Sequence, residues 1–230
     1  MSVFNKTLST LAIGLLTAAS SSAATVDIKF TGNGGNLALS TSYIDSLGKQ
    51  LGSSDYATGA LRYENRAGDS FYAYCVELAQ DHASSRRGFQ TYTEGSFSAG
   101  ETKLLQGLFA TSFSNALSSA QQAAFQTAVW EITHENADNL LNVASGQGAF
   151  FVKGLSSGSG ADNSAFVASV NSYLQAAVSY AGPDLYTITK LSNGSYQDLL
   201  TVSAVPEPGS LALLLAGLGV IGFVARRRQG

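Results

Sequence analysis

The sequence predicts an α+β fold, a β-sheet or barrel with an inserted helical subdomain, on three observations. Strand-like segments gather in two zones of residues 25–204, three helical segments lie between those zones, and the strands come in pairs joined by turn residues. With 230 residues the chain is long enough for one well-buried domain with appendages. We divide it into a signal segment at 1–24, a folded unit at 25–204, and a carboxy-terminal segment at 205–230 built around a short apolar helix.

The first zone opens with residues 25–31, where Val26, Ile28 and Phe30 alternate with polar neighbours. Gly32–Gly35 then reads as a turn cluster. Residues 58–64 and 71–78 bracket Arg66-Ala67-Gly68-Asp69 and form a predicted β-hairpin. The first helix follows Ser98, with Glu101 completing a capping box before Leu104, Leu105, Leu108 and Phe109. The second opens at Ser118 or Ser119, each with a glutamine three residues on, and runs to about Glu135. Residues 144–163 are rich in Gly and Ser and read as a long loop with a short strand at 149–153. The third helix covers about 165–180 and stops at Gly182-Pro183. A last hairpin pairs 185–191 with 196–203 around Asn193-Gly194.

Composition closes off several functions. Residues 25–205 carry 9 Lys and Arg against 15 Asp and Glu, a net of −6 with no basic stripe, which excludes nucleic acid as a partner. Cys75 is the sole cysteine, so neither an intramolecular disulfide nor a Cys-based zinc site is available, and His82 and His134 leave little for another metal. No cofactor is implied; phosphate-loop, dinucleotide-binding and metalloprotease patterns are absent.

Lys6, the apolar run from Leu8 to Ala19, and Ser22-Ala23-Ala24 follow the order of a secretory signal, so export is expected. At the other end, Val205-Pro206-Glu207-Pro208 precedes an uncharged apolar run from Gly209 to Ala225 and the cluster Arg226-Arg227-Arg228. Seventeen residues at about 1.5 Å each give roughly 25 Å, short for a hydrocarbon core of about 30 Å. The arginines belong on the cytoplasmic side, which places everything before Pro206 on the other. This order resembles the PEP-CTERM sorting signal of Gram-negative bacteria that make exopolysaccharide. The resemblance implies transient anchoring in the inner membrane by a transmembrane sorting helix. Cleavage by an exosortase near Pro206–Pro208 and release to the outer surface or matrix would follow.

Two segments carry the candidate chemistry. In Phe71-Tyr72-Ala73-Tyr74-Cys75-Val76-Glu77-Leu78, alternation puts Tyr72, Tyr74, Val76 and Leu78 on the expected core face, with Phe71, Ala73, Cys75 and Glu77 opposite. A lone thiol in an exported protein is an oxidation liability, so Cys75 is expected to be deeply buried or covalently capped. In the second helix, Phe125, Ala128, Val129 and Ile132 make an apolar stripe. Gln126 falls on its shoulder, and Thr127, Glu131, His134 and Glu135 on the side expected to face solvent. Trp130 is expected to pack between helix and sheet. His82 and His134 read as surface residues.

Together Tyr74-Cys75-Val76 and Gln126-Thr127-Ala128-Val129-Trp130 resemble the paired motifs of the thioester domain of bacterial surface adhesins. That resemblance implies a Cys75–Gln126 thioester formed by intramolecular acyl transfer. Tyr74 and Trp130 read as packing support, and Glu77, on the same strand face as the thiol, is the candidate proton acceptor. A lysine amine or sugar hydroxyl would then open it and become covalently attached, once per molecule, making the protein a reactive adhesin rather than an enzyme. A passive, exopolysaccharide-associated or carbohydrate-binding matrix protein with an inert Cys75 is the alternative. A cysteine hydrolase using Cys75 with His82 or His134 lacks any orienting group in the sequence.

Overall fold

The computed structural model describes residues 23–34, 37–44, 50–51, 55–135, 141–155, 160–205, 215–218, 221 and 226–227. Six strands close into an antiparallel barrel: β1 (Thr25–Asn33), β5 (Leu61–Asn65), β6 (Ser70–Cys75), β10 (Leu199–Ala204), β9 (Tyr186–Ser192) and β7 (Gln90–Gly95), which returns to β1. A second sheet joins β2 (Leu37–Ile44) to β3 (Gln50–Leu51), β4 (Asp55–Thr58) and β8 (Phe150–Leu155). Helices α1 (Ala99–Ser112), α2 (Ser119–His134) and α3 (Gly160–Ser179) lie between β7 and β9 in the chain. The α+β class and the helical insert agree with the sequence reading, and closure into a barrel resolves its sheet-or-barrel choice.

Of the second sheet only β8 answers to the sequence reading, as the short strand expected at 149–153; β2, β3 and β4 do not appear in it. Its strands at 50–51 and 55–58 are too short to show a period, and 37–44 mixes Ser and Thr with its apolar residues. Strand β7 was likewise unanticipated, since only Tyr92 of its six residues is buried. The long loop expected at 144–163 shrinks from both sides. Strand β8 runs on to Leu155, and α3 begins at Gly160, with the Asn163 carboxamide accepting from the Leu155 N–H at 2.7 Å. Strand β1 also continues past the expected turn at Gly32, through a register shift between Phe30 and Gly32.

Both predicted capping boxes are present. Ser98 and Glu101 close the start of α1, and Ser118 with Gln121 closes α2. The helices pack tightly: a Cβ on Gly107 of α1 would collide with the backbone carbonyl of Ala177 in α3, so only glycine permits this approach. Tyr74, Phe109 and Phe125 join β6, α1 and α2 through ring contacts with centroids 4.8–5.8 Å apart.

Helix α2 departs from its amphipathic reading. Every residue from Gln122 to Ile132 is buried, including Gln126, Thr127 and Glu131, each fully shielded from solvent. The helix touches the barrel strand β6 on one side, α1 and α3 on others, and the second sheet through β2, β4 and β8. Between Gln122 and Ile132 no side remains for solvent, so of the polar face predicted for Thr127, Glu131, His134 and Glu135 the first two are corrected to the interior and the last two to half-buried positions.

Among the described residues no helix is long and apolar enough to cross a membrane. The expected signal at 1–24 lies almost wholly outside the described residues. So do Pro206, Glu207, Pro208, Arg228 and most of the apolar run. Arg226 and Arg227 are exposed.

Candidate functional site

Strand β6 ends at Cys75, and the register around it sets the site. Ala73 pairs with Leu61 and Cys75 with Leu199. The Val76 N–H donates to the Asp198 carbonyl on the β10 side at 2.9 Å, so alternation turns the N–H and C=O of Cys75 toward β5. Strand β5 begins only at Leu61, opposite Ala73, and offers no backbone partner there.

Gln126 fills that gap. Its Oε1 accepts from the Cys75 N–H at 2.7 Å, and its Nε2 donates to the Cys75 carbonyl at 2.8 Å. One side-chain amide from α2 thus completes the ladder of β6 as a neighbouring strand would, in a fully buried setting. Each such bond contributes about 0.5–1.5 kcal/mol, while leaving a buried partner unmade costs about 1–3 kcal/mol. One turn earlier, Gln122 accepts from the Tyr74 hydroxyl at 3.2 Å, tying the same strand to the same helix a second time.

The faces of β6 are assigned differently from the sequence reading. Tyr74 points outward to α1 and α2, whereas Phe71, Ala73 and Cys75 share a face with Leu61, Tyr63 and Leu199 in the barrel interior. Both faces are buried because the helices cover the outside. Burial pushes the Cys75 thiol up to about 12, so at neutral pH it is protonated.

Glu77 lies beyond the end of the strand. With β6 ending at Cys75, the alternation that put Glu77 on the thiol face stops two residues short of it. Its carboxylate instead accepts from the Asp198 N–H at 3.3 Å, and its carbonyl accepts from the Gln197 side-chain amide. Trp130 is buried one turn beyond Gln126 on α2, its ring 6.2 Å from that of Phe150 on β8. The histidines are not surface groups either. His82 is half-buried with its ring 4.4 Å from Phe30, and His134 is half-buried against Phe150. His134 stands eight residues beyond Gln126, about 12 Å along the helix. Burial lowers the pKa of both.

Sequence reasoning missed three polar groups. Tyr63 and Tyr92 lie in the barrel, 1% and 0% exposed, with hydroxyls that have no hydrogen-bond partner of ordinary geometry. Glu131 is buried with Oε1 accepting from the Asn142 N–H at 2.6 Å and Oε2 unpartnered; burial raises it to about 8. Only the alternation of Tyr63 and Tyr92 with polar neighbours hinted at their direction. A cleft of about 750 Å³ opens on the outer side of β6, lined by Arg62, Tyr72, Tyr74, Phe113, Asn115 and Tyr186 among others. Among the described residues no three His, Cys, Asp or Glu side chains gather as a metal site requires.

Residues 204–228 match the PEP-CTERM protein-sorting motif. The chain carries this sorting motif. Its structural neighbours are amino-terminal thioester domains of bacterial surface proteins. The N-terminal thioester domain of a surface protein from Clostridium perfringens matches at 16% identity and a TM-score of 0.44, over 79% of this chain and 100% of that one. The N-terminal domain of the Streptococcus pyogenes pilus tip adhesin Cpa matches at 15% identity and 0.46, over 73% and 95%. The N-terminal thioester domain of the fibronectin-binding protein SfbI from Streptococcus pyogenes matches at 15% and 0.43, over the same shares. No curated protein matches the chain in sequence.

Proposed function

We propose that residues 25–204 form an exported surface module whose Cys75 and Gln126 join in an internal thioester, which a surface or matrix nucleophile then opens. The carboxamide clamp supports this reading: Gln126 bonds both to the N–H and to the C=O of Cys75. A side chain held by both backbone groups of a cysteine has its amide carbon fixed beside that residue, and well-oriented groups reach effective molarities of about 10⁵–10⁸ M.

In the proposed step, Cys75 Sγ bonds to Gln126 Cδ, the bond from Cδ to Nε2 breaks, and the thiol proton leaves with the nitrogen as ammonia. Charge developing on Oε1 faces the Cys75 N–H already bonded to it, as an oxyanion donor should. With the thiol near 12, about one molecule in 10⁵ holds a thiolate at pH 7, so formation is slow and intramolecular geometry must compensate. A lysine amine or sugar hydroxyl later bonds to the same carbon, Cys75 leaves, and the target remains attached through Gln126. The aromatic cleft beside Tyr74 lies next to β6 and offers an approach. Each molecule reacts once, so the protein acts as a reactive adhesin and not as a turnover enzyme.

The PEP-CTERM motif supports export, transient inner-membrane anchoring and exosortase processing, with delivery to the outer surface or extracellular matrix. A sorting segment ending in the arginine cluster leaves the folded unit on the non-cytoplasmic side.

The test is intact mass under denaturing, non-reducing conditions. A thioester gives a deficit of one ammonia that disappears in Cys75→Ala, and methylamine adds its own mass at Gln126, leaving an N-methyl amide, while freeing one thiol. A protein of unmodified mass that ignores methylamine sinks the proposal. The passive reading has one observation in its favour: a thiol held near 12 is what an inert buried cysteine shows, with Gln126 a purely structural clamp. The same measurement separates the two.

A further inference from the structure

We infer that the Tyr63 and Tyr92 hydroxyls form a donor pair inside the barrel that receives the Cys75 sulfur as the thioester opens. The inference rests on the thioester reading and deepens it by naming residues that set the reactivity of the bond.

Strand β6 is flanked by β5 and β10, and β7 lies opposite it across the barrel, three strands away in either direction. Tyr63 therefore enters the interior from the strand beside Cys75, and Tyr92 from the far wall. Tyr63 is wedged between Phe30 and Phe71, with ring centroids 5.7 and 6.1 Å away, which fixes the direction of its hydroxyl. The two hydroxyls lie close enough for each phenol to alter the ionisation of the other, and Cys75 opposes the ionisation of both. Asp198 and Tyr196 act on Tyr92 in the same sense. The apolar part of the surrounding interior is built from Ile28, Leu61, Ala73, Leu191 and Leu199.

Two fully buried hydroxyls with no hydrogen-bond partner outside the pair are costly in such a place, and phenylalanine would fill the same volume without that cost. Phenols held protonated are poor bases and dependable donors. Of the two O–H groups, one can bond within the pair, which leaves the other to point at sulfur. The opening step needs such a donor. When an amine nitrogen bonds to Gln126 Cδ, the bond from Cδ to Sγ breaks and its electron pair goes to sulfur. The proton shed by the amine ends on that sulfur, and the phenols begin and end protonated. In an apolar barrel the departing thiolate is strongly disfavoured, and a donor lowers that barrier.

The experiment compares the full-length protein with Tyr63→Phe, Tyr92→Phe and the double variant. In the first arm, methylamine opening is followed by mass. We expect opening to slow at least tenfold in the double variant while Tm stays equal or rises, because both buried hydroxyls are removed together and neither is left facing an empty partner. Opening at the original rate overturns the inference, as does slowing that merely tracks a fall in Tm. In the second arm, Gln126→Ala keeps Cys75 a free thiol whether or not a thioester ever forms. Alkylation by iodoacetamide at pH 8 should then slow about tenfold when both hydroxyls are removed, since a donor favours thiolate; an unchanged rate overturns the pair's role. A parent protein with no ammonia deficit defeats the thioester reading, and the second arm still reports on the pair by itself.

Discussion

The two halves of α2 both carry buried polar side chains but handle them in opposite ways. In the first half, Gln122 and Gln126 are neutral amides aimed at β6, and both polar atoms of Gln126 find backbone partners. In the second half, Glu131 and Glu135 are carboxyls that accept from the segment beyond the helix, at the N–H groups of Asn142 and Ala149. Gly148, at a φ of 66°, lies where a Cβ would strike the Glu135 carboxylate. One oxygen of Glu131 stays unpartnered, and the group retains its proton to about pH 8. An amide carries a donor and an acceptor and matches a strand edge completely without titrating. A carboxylate offers only acceptors, so burial is relieved by protonation. The half of the helix fitted for chemistry is thus the half that is insensitive to pH in its own right.

The largest effect should be on the rate of cross-linking. With the thiol near 12, ammonia release from freshly refolded protein should rise about tenfold per pH unit from pH 7 to 10, measured by mass against time. A flat profile would show that thiolate is not the attacking species. Next comes Gln126→Glu, which removes the donor to the Cys75 carbonyl and sets acceptor against acceptor. We expect a loss of about 3–5 kcal/mol in denaturant unfolding and no cross-link. Retained stability would break the contrast at its centre.

Glu131→Gln should act in the other direction. The folded pKa near 8 lies above the ordinary 4.5, so the unfolded chain ionises first and stability falls as pH rises between those values, by at most about 1.4 kcal/mol per unit. Glutamine removes that slope and stabilises the protein at pH 8. His134 has a lowered pKa and works in the opposite sense below about 6.5, so unfolding midpoints between pH 6.5 and 8 isolate the Glu131 contribution. Smaller still, Tyr74→Phe deletes the bond to Gln122 and should cost about 1 kcal/mol, and Ser118→Ala should cost a similar amount through the lost cap. Thermal melts of the two variants would show whether strand contact or helix capping holds the first half more firmly.

Much of this was legible beforehand where the signal is local. Capping boxes, the hairpin turns and the placing of Cys75 on a strand and Gln126 on a helix depend on neighbours within a few residues, and the structure carries each of them. What was not legible depends on partners far away in the chain. The exposure of Glu131 and His134 was misjudged because periodicity assumes one wet face, and the sheet that covers α2 brings together strands from 37–58 and 150–155. Glu77 was misjudged because the end of a strand is set by its partners, and β10 holds Val76 and Asp198 where β5 is no longer present.

By itself the sequence determined the α+β class, the strand and helix that carry the sulfur and the amide, and the tail matched by the sorting motif, because each is written in short-range pattern. Tertiary structure alone decided that β5 starts too late to pair with Cys75, that Gln126 takes its place, and that Tyr63 and Tyr92 are buried with unpartnered hydroxyls. Those outcomes follow from closing six strands and packing a helix across their edge, and no local pattern of residues encodes where a closed sheet leaves a backbone group without its partner.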